Sequence, residues 1–156
     1  MTTINRAGWA EIDPLTLHDL IRLRVDVFVV EQLCAYAELD GRDLDRGTVH
    51  LRAGPAHQPT AYLRLLTEPG GTRRIGRVCT APAHRGRGLA RRLVAAALAE
   101  VGPAPCVLDA QAHLTGLYAD FGFTPDGPGY DWDGVLHVPM RRVAGGGAGP
   151  AARSPP

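Results

Sequence analysis

The segment from Val78 to Ala90 (VCTAPAHRGRGLA) has the residue types and spacing best suited to ligand chemistry. An apolar strand pattern ends before Pro82, and a helical pattern begins at Leu89. Glycines at 86 and 88 allow a tight turn that brings successive main-chain N–H groups close to a ligand. The following helix adds unsatisfied first-turn donors and the positive end of its dipole. The segment therefore predicts an anion site, and a diphosphate is its natural occupant.

Two well-known phosphate motifs are excluded by the same residues. A P-loop ends in Gly-Lys-Ser/Thr, and this chain contains no lysine. A Rossmann fingerprint needs a third glycine, but Arg91 stands there, and the strands before the turn read as antiparallel. Taken alone, the glycines favour a turn that only opens a helix.

Hydrophobic periodicity predicts the elements that must position this turn. Residues 1–8 read as a lead-in. Strands are predicted at 9–12, 48–53, 60–66, 74–80, 106–108, 123–130 and 135–142, and helices at 15–32, 89–101 and 114–121. This order predicts an α/β (α+β) sandwich of one mixed sheet with helices on its faces. We expect a single domain over residues 1–143, and a disordered Gly/Pro/Ala-rich tail at 144–156.

The overall composition narrows the classes of partner. The chain has 156 residues, 45% of them hydrophobic, and a net charge of +1, so nothing global attracts nucleic acid or an anionic membrane. Three cysteines without a CxxC pair argue against disulfides and structural zinc, and no signal or membrane segment is visible. We therefore expect a cytoplasmic protein without a metal. Self-association as a homodimer stays open.

The turn and two later segments resemble the GNAT acetyltransferase family. Arg85, Gly88 and Ala90 match the three fixed places of its coenzyme-A motif, Arg/Gln-x-x-Gly-x-Gly/Ala. Residues 117–123 (LYADFGF) are similar to its "LYxxxGF" segment. The resemblance extends over residues 9–142, and the segments 28–32, 110–113 and 134–140 are similar to its ElaA-like branch.

This resemblance implies a mostly antiparallel sheet with helices on both faces and a splayed cleft that holds acetyl-CoA as co-substrate. The pantetheine arm would lie along the strand that ends at Thr80, and residues 85–90 would hold the diphosphate. The implied cofactor contacts are Val78, Cys79, Thr80, Arg85, Gly86, Arg87, Gly88, Leu89, Ala90, Gln111 and Tyr118.

The resemblance also implies candidates for proton transfer. Tyr118 stands at the family's acid position, where a phenol could protonate the departing thiolate or only donate a hydrogen bond. The alternative interpretation of Tyr118 is an aromatic core residue beside Leu117 and Phe121. Glu31 is the first candidate for the base and His113 the second, and base action through ordered water stays open. A solvated carboxylate and a packing or capping histidine are the alternative interpretations.

Three functions are compatible with these residues. The first is N-acetyl transfer to a primary amine of a small molecule or peptide. The acidic residues Glu31, Glu38, Asp40, Asp43 and Asp45 would suit a cationic acceptor or form a solvated loop, and His50 and His137 would line the acceptor side or be structural. The second is a non-catalytic module that binds or senses acetyl-CoA. Acyl-homoserine lactone synthesis ranks last.

Overall fold

One sheet carries most of the fold. The structure is a computed structural model, and it describes residues 2–143; the predicted disordered tail at 144–156 lies outside them. The strands are β1 (Ile4–Gly8), β2 (Val49–Ala53), β3 (Ala61–Thr67), β4 (Arg73–Thr80), β5 (Cys106–Gln111), β6 (Thr124–Pro125), β7 (Tyr130–Trp132) and β8 (Val135–Arg142). Within the described residues they lie in the order β1-β2-β3-β4-β5-β8-β6, with β7 also paired to β8. The pairs are antiparallel except for β4 and β5, which are parallel.

Helices cover both faces of this sheet, as the sequence predicts. The helices are α1 (Pro14–Val25), which continues as one π-helical turn (Asp26–Glu31), α2 (Leu89–Val101) and α3 (Thr115–Ala119). Short 3₁₀ turns lie at Arg42–Leu44, Pro69–Gly71, Pro82–His84 and Ala112–Leu114. None of the helices in residues 2–143 is long and apolar enough to cross a membrane.

Alternation along β3 separates two apolar clusters. Leu63 and Leu65 pack with α2, whose Leu93 and Val94 are fully buried. Tyr62 points to the other face, where it packs under α1. Since successive side chains of a strand point to opposite faces, α1 and α2 lie on opposite sides of the sheet.

Two predictions for the chain ends were wrong in detail. Residues 9–12 are not a strand; the edge strand is Ile4–Gly8, which the sequence reads as a lead-in. The sequence INRAG has little apolar alternation, and its strand conformation comes from pairing with β2. The predicted strand at 123–130 is two short strands, because Pro125, Gly127, Pro128 and Gly129 interrupt the ladder.

Candidate functional site

A cleft opens where β4 and β5 part. These strands pair only through Arg73 with Cys106 and Arg74 with Val107. Beyond that point β4 remains paired to β3, and β5 remains paired to β8. β4 therefore forms the first wall of the cleft and β5 the second, and each is held by its outer neighbour in the sheet. The parallel strands therefore diverge toward their carboxyl ends.

A β-bulge in β4 bends this wall. Arg77 and Val78 of β4 lie between the pairs that flank Leu63 of β3, so two residues oppose one. Arg77 has a left-handed backbone, with φ of 54°. Its side chain donates to Glu38 Oε1 at 2.9 Å and lies over the Tyr36 ring, contacts that hold the strained residue in place.

The last residue of β4 turns its main chain into the cleft. The amide of Ala81 donates to the Thr60 carbonyl at 2.8 Å, while Thr80 lies opposite Ala61. In an antiparallel ladder this pattern makes Thr80 a non-hydrogen-bonded position toward β3. Its N–H and C=O therefore face the side of β5, where a ligand in the cleft could reach the N–H, while the C=O accepts a hydrogen bond from Nε of Arg85 at 3.1 Å.

The turn between β4 and α2 presents a series of main-chain amides. The amides of His84 and Arg85 donate to Ala81 and Pro82 carbonyls. Among the described residues, the amides of residues 86–91 donate no hydrogen bond. Gly86 and Gly88 have φ of 74° and 72°, a conformation that favours glycine. These amides lie at the N-terminus of α2, where an anion is stabilised.

The arginines of this turn differ in their contacts. Arg85 donates to both Glu31 oxygens, at 2.6 and 2.8 Å, and through Nε to the Thr80 carbonyl at 3.1 Å. Arg91 pairs with Asp120, and Arg92 donates to the Thr2 carbonyl. For the exposed Arg87, no partner lies among residues 2–143.

Tyr118 stands in α3, directly after the second cleft wall. It is 4% exposed and packs edge-to-face on Phe123, with ring centroids 6.2 Å apart. Burial raises the pKa of its phenol to about 12. The phenol therefore stays protonated throughout the physiological pH range.

The comparisons with known proteins agree with this geometry. The family described as "Acetyltransferase (GNAT) domain" matches residues 18–144. The chain belongs to the GNAT acetyltransferase family. The GNAT fold implies acyl-CoA binding, and the amides of residues 86–91 fit the diphosphate of such a ligand.

Individual relatives extend the likeness over nearly the whole chain. A UPF0039 protein of Mycobacterium tuberculosis is 50% identical over 151 residues, which cover 94% of this chain and 97% of the relative. Protein ElaA of Escherichia coli is 35% identical over 139 residues, or 85% of this chain and 91% of ElaA. These likenesses confirm the ElaA-like branch.

Solved structures support the same assignment. An acyl-CoA N-acyltransferase from Pseudomonas aeruginosa superimposes with a TM-score of 0.86 and 39% identity, covering 92% of this chain and 100% of that one. The crystal structure of Escherichia coli ElaA gives 0.85 and 34%, covering 91% and 99%. A CoA-dependent acyl-homoserine lactone synthase gives 0.73 at 20% identity, covering 90% and 82%, a likeness of fold alone.

Cys79 and Gln111, two of the cofactor contacts that the family resemblance implies, both contact other parts of the protein. Cys79 lies opposite Tyr62, and its side chain packs in the cluster under α1. Burial raises the pKa of its thiol to about 12, which makes an acyl-carrying thiolate unfavourable. Gln111, the last residue of β5, lies within 3.4 Å of the Gln32 side chain and so connects the second wall to the segment after α1.

The two candidate bases occupy different surroundings. Glu31 ends the π-helical turn, and its hydrogen bond with Arg85 holds the pKa of its carboxyl below the usual range. His113 is exposed in the 3₁₀ turn between β5 and α3. Neither residue touches Tyr118 through a hydrogen bond in the described part of the chain.

The acidic segment does not form a free anionic surface, contrary to one sequence interpretation. Each carboxylate is paired with an arginine of the same chain: Glu31 with Arg85, Glu38 with Arg24 and Arg77, Asp40 with Arg64, Asp43 with Arg24 and Arg64, and Asp45 with Arg42. Because these charges are compensated internally, they do not explain selection of a cationic acceptor.

A buried network of arginines and acids was missed by sequence reasoning. Arg24 is fully buried and donates to Glu38 and Asp43, both at 2.7 Å. Arg64 joins Asp43 from β3 at 3.2 Å. The network fixes the segment after α1 against the sheet. The sequence shows only scattered arginines, since their acidic partners are distant along the chain.

His50 and His137, the two histidines considered for the acceptor side, differ in burial and contacts. His50 is 1% exposed and is held by the Tyr62 hydroxyl at 2.6 Å and the Asp43 carbonyl at 3.1 Å, so it is structural and does not line an acceptor site. His137 is partly exposed and stacks on Tyr130, with centroids 5.7 Å apart. It pairs with Gln111 in the ladder, which places it beside the end of the second wall.

A cavity of about 530 Å³ lies on the other side of the turn. Its lining includes Asn5 from β1, Thr60 before β3, and His84 and Arg87 from the turn, but no residue of β5 or α3. It is therefore separate from the opening between β4 and β5.

Proposed function

We propose that this protein is an acetyl-CoA-dependent N-acetyltransferase that moves an acetyl group to a primary amine of a small molecule or peptide. The observation that carries this proposal is the series of amides at residues 86–91 that donate no hydrogen bond within residues 2–143, at the N-terminus of α2 and beside the open end of β4. We place the protein in the cytoplasm, in keeping with its three free cysteines.

Bound acetyl-CoA supplies an acyl group already activated as a thioester. The amides of residues 86–91 hold the diphosphate, with Arg87 as a free cation beside them. The N–H of Thr80 faces the cleft and can donate to the acyl oxygen as negative charge develops there. These contacts would orient the thioester carbonyl toward the acceptor side.

Transfer then needs two protons to leave the acceptor nitrogen and one to reach the sulfur. A base, Glu31 or His113, takes one proton from the acceptor ammonium, and the neutral amine attacks the acyl carbon. The carbon–sulfur bond breaks, Tyr118 donates its proton to the leaving sulfur, and the nitrogen that becomes the amide returns its second proton to the phenolate. The pKa of Tyr118 is about 12 and that of an ordinary thiol is near 8.5, so full transfer of the proton from the phenol to the thiolate is unfavourable. Burial of the thiol in the same apolar surroundings would raise its pKa and reduce this cost.

Release of free thiol from acetyl-CoA, measured across a panel of primary amines, tests the proposal. We expect turnover with at least one amine class. Tyr118→Phe should lower kcat by about 10²-fold, the usual contribution of general acid catalysis, while the Kd for acetyl-CoA stays within twofold. Leu117→Met, a change of similar volume beside it, serves as the control and should retain kcat.

The alternative is a module that binds acetyl-CoA without turning it over. Tight binding of acetyl-CoA with no thiol release on any amine would favour it. Equal kcat in Tyr118→Phe and the wild type would remove Tyr118 from the mechanism.

A further inference from the structure

Arg85 links the two sides of the candidate site. Its two terminal nitrogens donate to the Glu31 carboxylate at 2.6 and 2.8 Å, and its Nε donates to the Thr80 carbonyl at 3.1 Å. Glu31 ends the π-helical turn, and Thr80 ends β4. The guanidinium of Arg85 therefore connects the π-helical turn that ends at Glu31, the cleft wall formed by β4, and the turn between β4 and α2.

These contacts use both edges through which an arginine recognises an anion. The end-on pair of N–H groups is taken by Glu31, and the Nε edge is taken by the Thr80 carbonyl. A guanidinium binds carboxylate or phosphate best through such a two-pronged contact. Arg85 cannot offer an equivalent contact to a diphosphate while it holds Glu31.

The Glu31–Arg85 pair is suited to exchange. The two side chains are 40% and 44% exposed, so water competes for both charges. An exposed ion pair adds little stability, whereas a diphosphate held by the amides of residues 86–91 brings more negative charge. The diphosphate should therefore outcompete the carboxylate for Arg85.

We propose that Arg85 changes partners when acetyl-CoA binds: its guanidinium releases Glu31 and binds the diphosphate. Cofactor binding itself then uncovers the carboxylate that receives the acceptor ammonium. This inference rests on the proposed function. While Glu31 is paired, Arg85 keeps the pKa of its carboxyl low, which makes it a weak base; release raises its basicity.

Calorimetric titration with CoA tests the exchange without turnover. Glu31→Gln removes the competing anion, and we expect the Kd for CoA to fall about two- to fivefold, the range that corresponds to an exposed ion pair. Asp26→Asn removes the same charge from the same π-helical turn and should leave the Kd unchanged. In an Arg85→Gln background, Glu31→Gln should have no effect, because Glu31 acts only through Arg85.

A second readout follows the carboxyl group itself. In ¹³C NMR, the Glu31 carboxyl of the wild type should titrate at higher pH with CoA bound than in the free protein. In free Arg85→Gln it should already titrate at the higher pH. Arg85 and Glu31 are both exposed, so these variants are expected to fold as the wild type does, which circular dichroism checks.

The outcomes are separable. If the wild type binds CoA and Glu31→Gln changes nothing, or changes the Kd equally in the Arg85→Gln background, the exchange is wrong and the proposed function stands. An equal effect of Asp26→Asn would also overturn it, as a general charge effect. If the wild type binds no CoA, the proposed function fails together with the exchange.

Discussion

Single residues set what the candidate site can do. The main chain of Thr80 and the amides at 86–91 supply donors, and Tyr118 supplies a buried phenol. Most side chains with negative charge near the site are already paired with arginine. The chemistry therefore depends more on main-chain geometry than on an array of charged side chains.

Substitution of Gly88 tests the turn at this scale. No heavy atom lies within 4 Å of an added Cβ, so Gly88→Ala fits sterically and costs only the strain of φ 72°, about 1 kcal/mol. Gly88→Glu places a carboxylate among the amides, although it should not weaken α2, because an acid is favourable at a helix N-terminus.

By calorimetry, Gly88→Ala should bind acetyl-CoA within about fivefold of wild type, the factor equivalent to that strain, and Gly88→Glu should show no measurable binding. Unchanged affinity in a folded Gly88→Glu would count heavily against the site.

At the scale of elements, the bulge in β4 shapes the cleft. It places two residues opposite Leu63, and the pairing with β5 ends two residues into β4. Arg77 holds its left-handed conformation through contacts with Glu38 and Tyr36. The buried network of arginines and acids that fixes the segment after α1 therefore also supports the bend in β4.

Replacement of Arg77 by alanine or glycine measures the strain in this bulge. Both changes lose the side-chain contacts, but glycine relieves a left-handed strain of about 1–2 kcal/mol, against a glycine entropy cost of about 0.5–1 kcal/mol. In urea unfolding, Arg77→Gly should be more stable than Arg77→Ala by about 0.5–1 kcal/mol. The same pair at Arg73, in ordinary strand conformation, should show the opposite order; the same order at both positions would contradict the assignment.

At the scale of the whole molecule, a buried polar network connects α1 to the sheet. His50 lies in it on β2, between the Tyr62 hydroxyl and the Asp43 carbonyl. Burial lowers the pKa of His50, and the nearby guanidinium groups of Arg24 and Arg64 oppose its protonation as well.

This arrangement predicts a pH dependence of stability. Between its lowered folded pKa and the unfolded value near 6.5, His50 binds more protons in the unfolded state, so the free energy of unfolding falls as the pH falls below about 6.5. Urea unfolding at pH 7.5 and 5.5 should show this decrease, and His50→Gln should reduce it. The exposed His18→Gln serves as the control; an equal reduction there would refute the role of His50.

Local signals predicted the elements that position the site. The bounds of α2 were predicted as Leu89–Val101, because its apolar stripe begins after Gly88 and ends at Gly102-Pro103. The turn before it was recognised from its glycines and from family resemblance together. Sequence reasoning was weaker where structure depends on distant partners. Nothing local marks β1, which forms by pairing with β2.

The candidate site shows the same division. The positions of Gly86 and Gly88 follow from the local pattern, but the pairing of Glu31 with Arg85 joins residues 54 positions apart. The two sequence interpretations of the acidic residues, an acceptor surface or a solvated loop, did not include buried pairs, because the arginines that neutralise Glu38 and Asp43 come from other elements. Charge along the sequence did not reveal charge at the surface.

The central claim is that the main-chain amides of residues 86–91 receive the diphosphate of acetyl-CoA. Two-dimensional amide NMR during a titration with acetyl-CoA tests it most directly, with the amides of Gly70, in the turn before β4, and Gly102, in the turn after α2, as internal references. We predict that the largest changes in chemical shift fall on residues 86–91 and saturate together with binding. Saturable binding that leaves these amides unchanged would contradict the account.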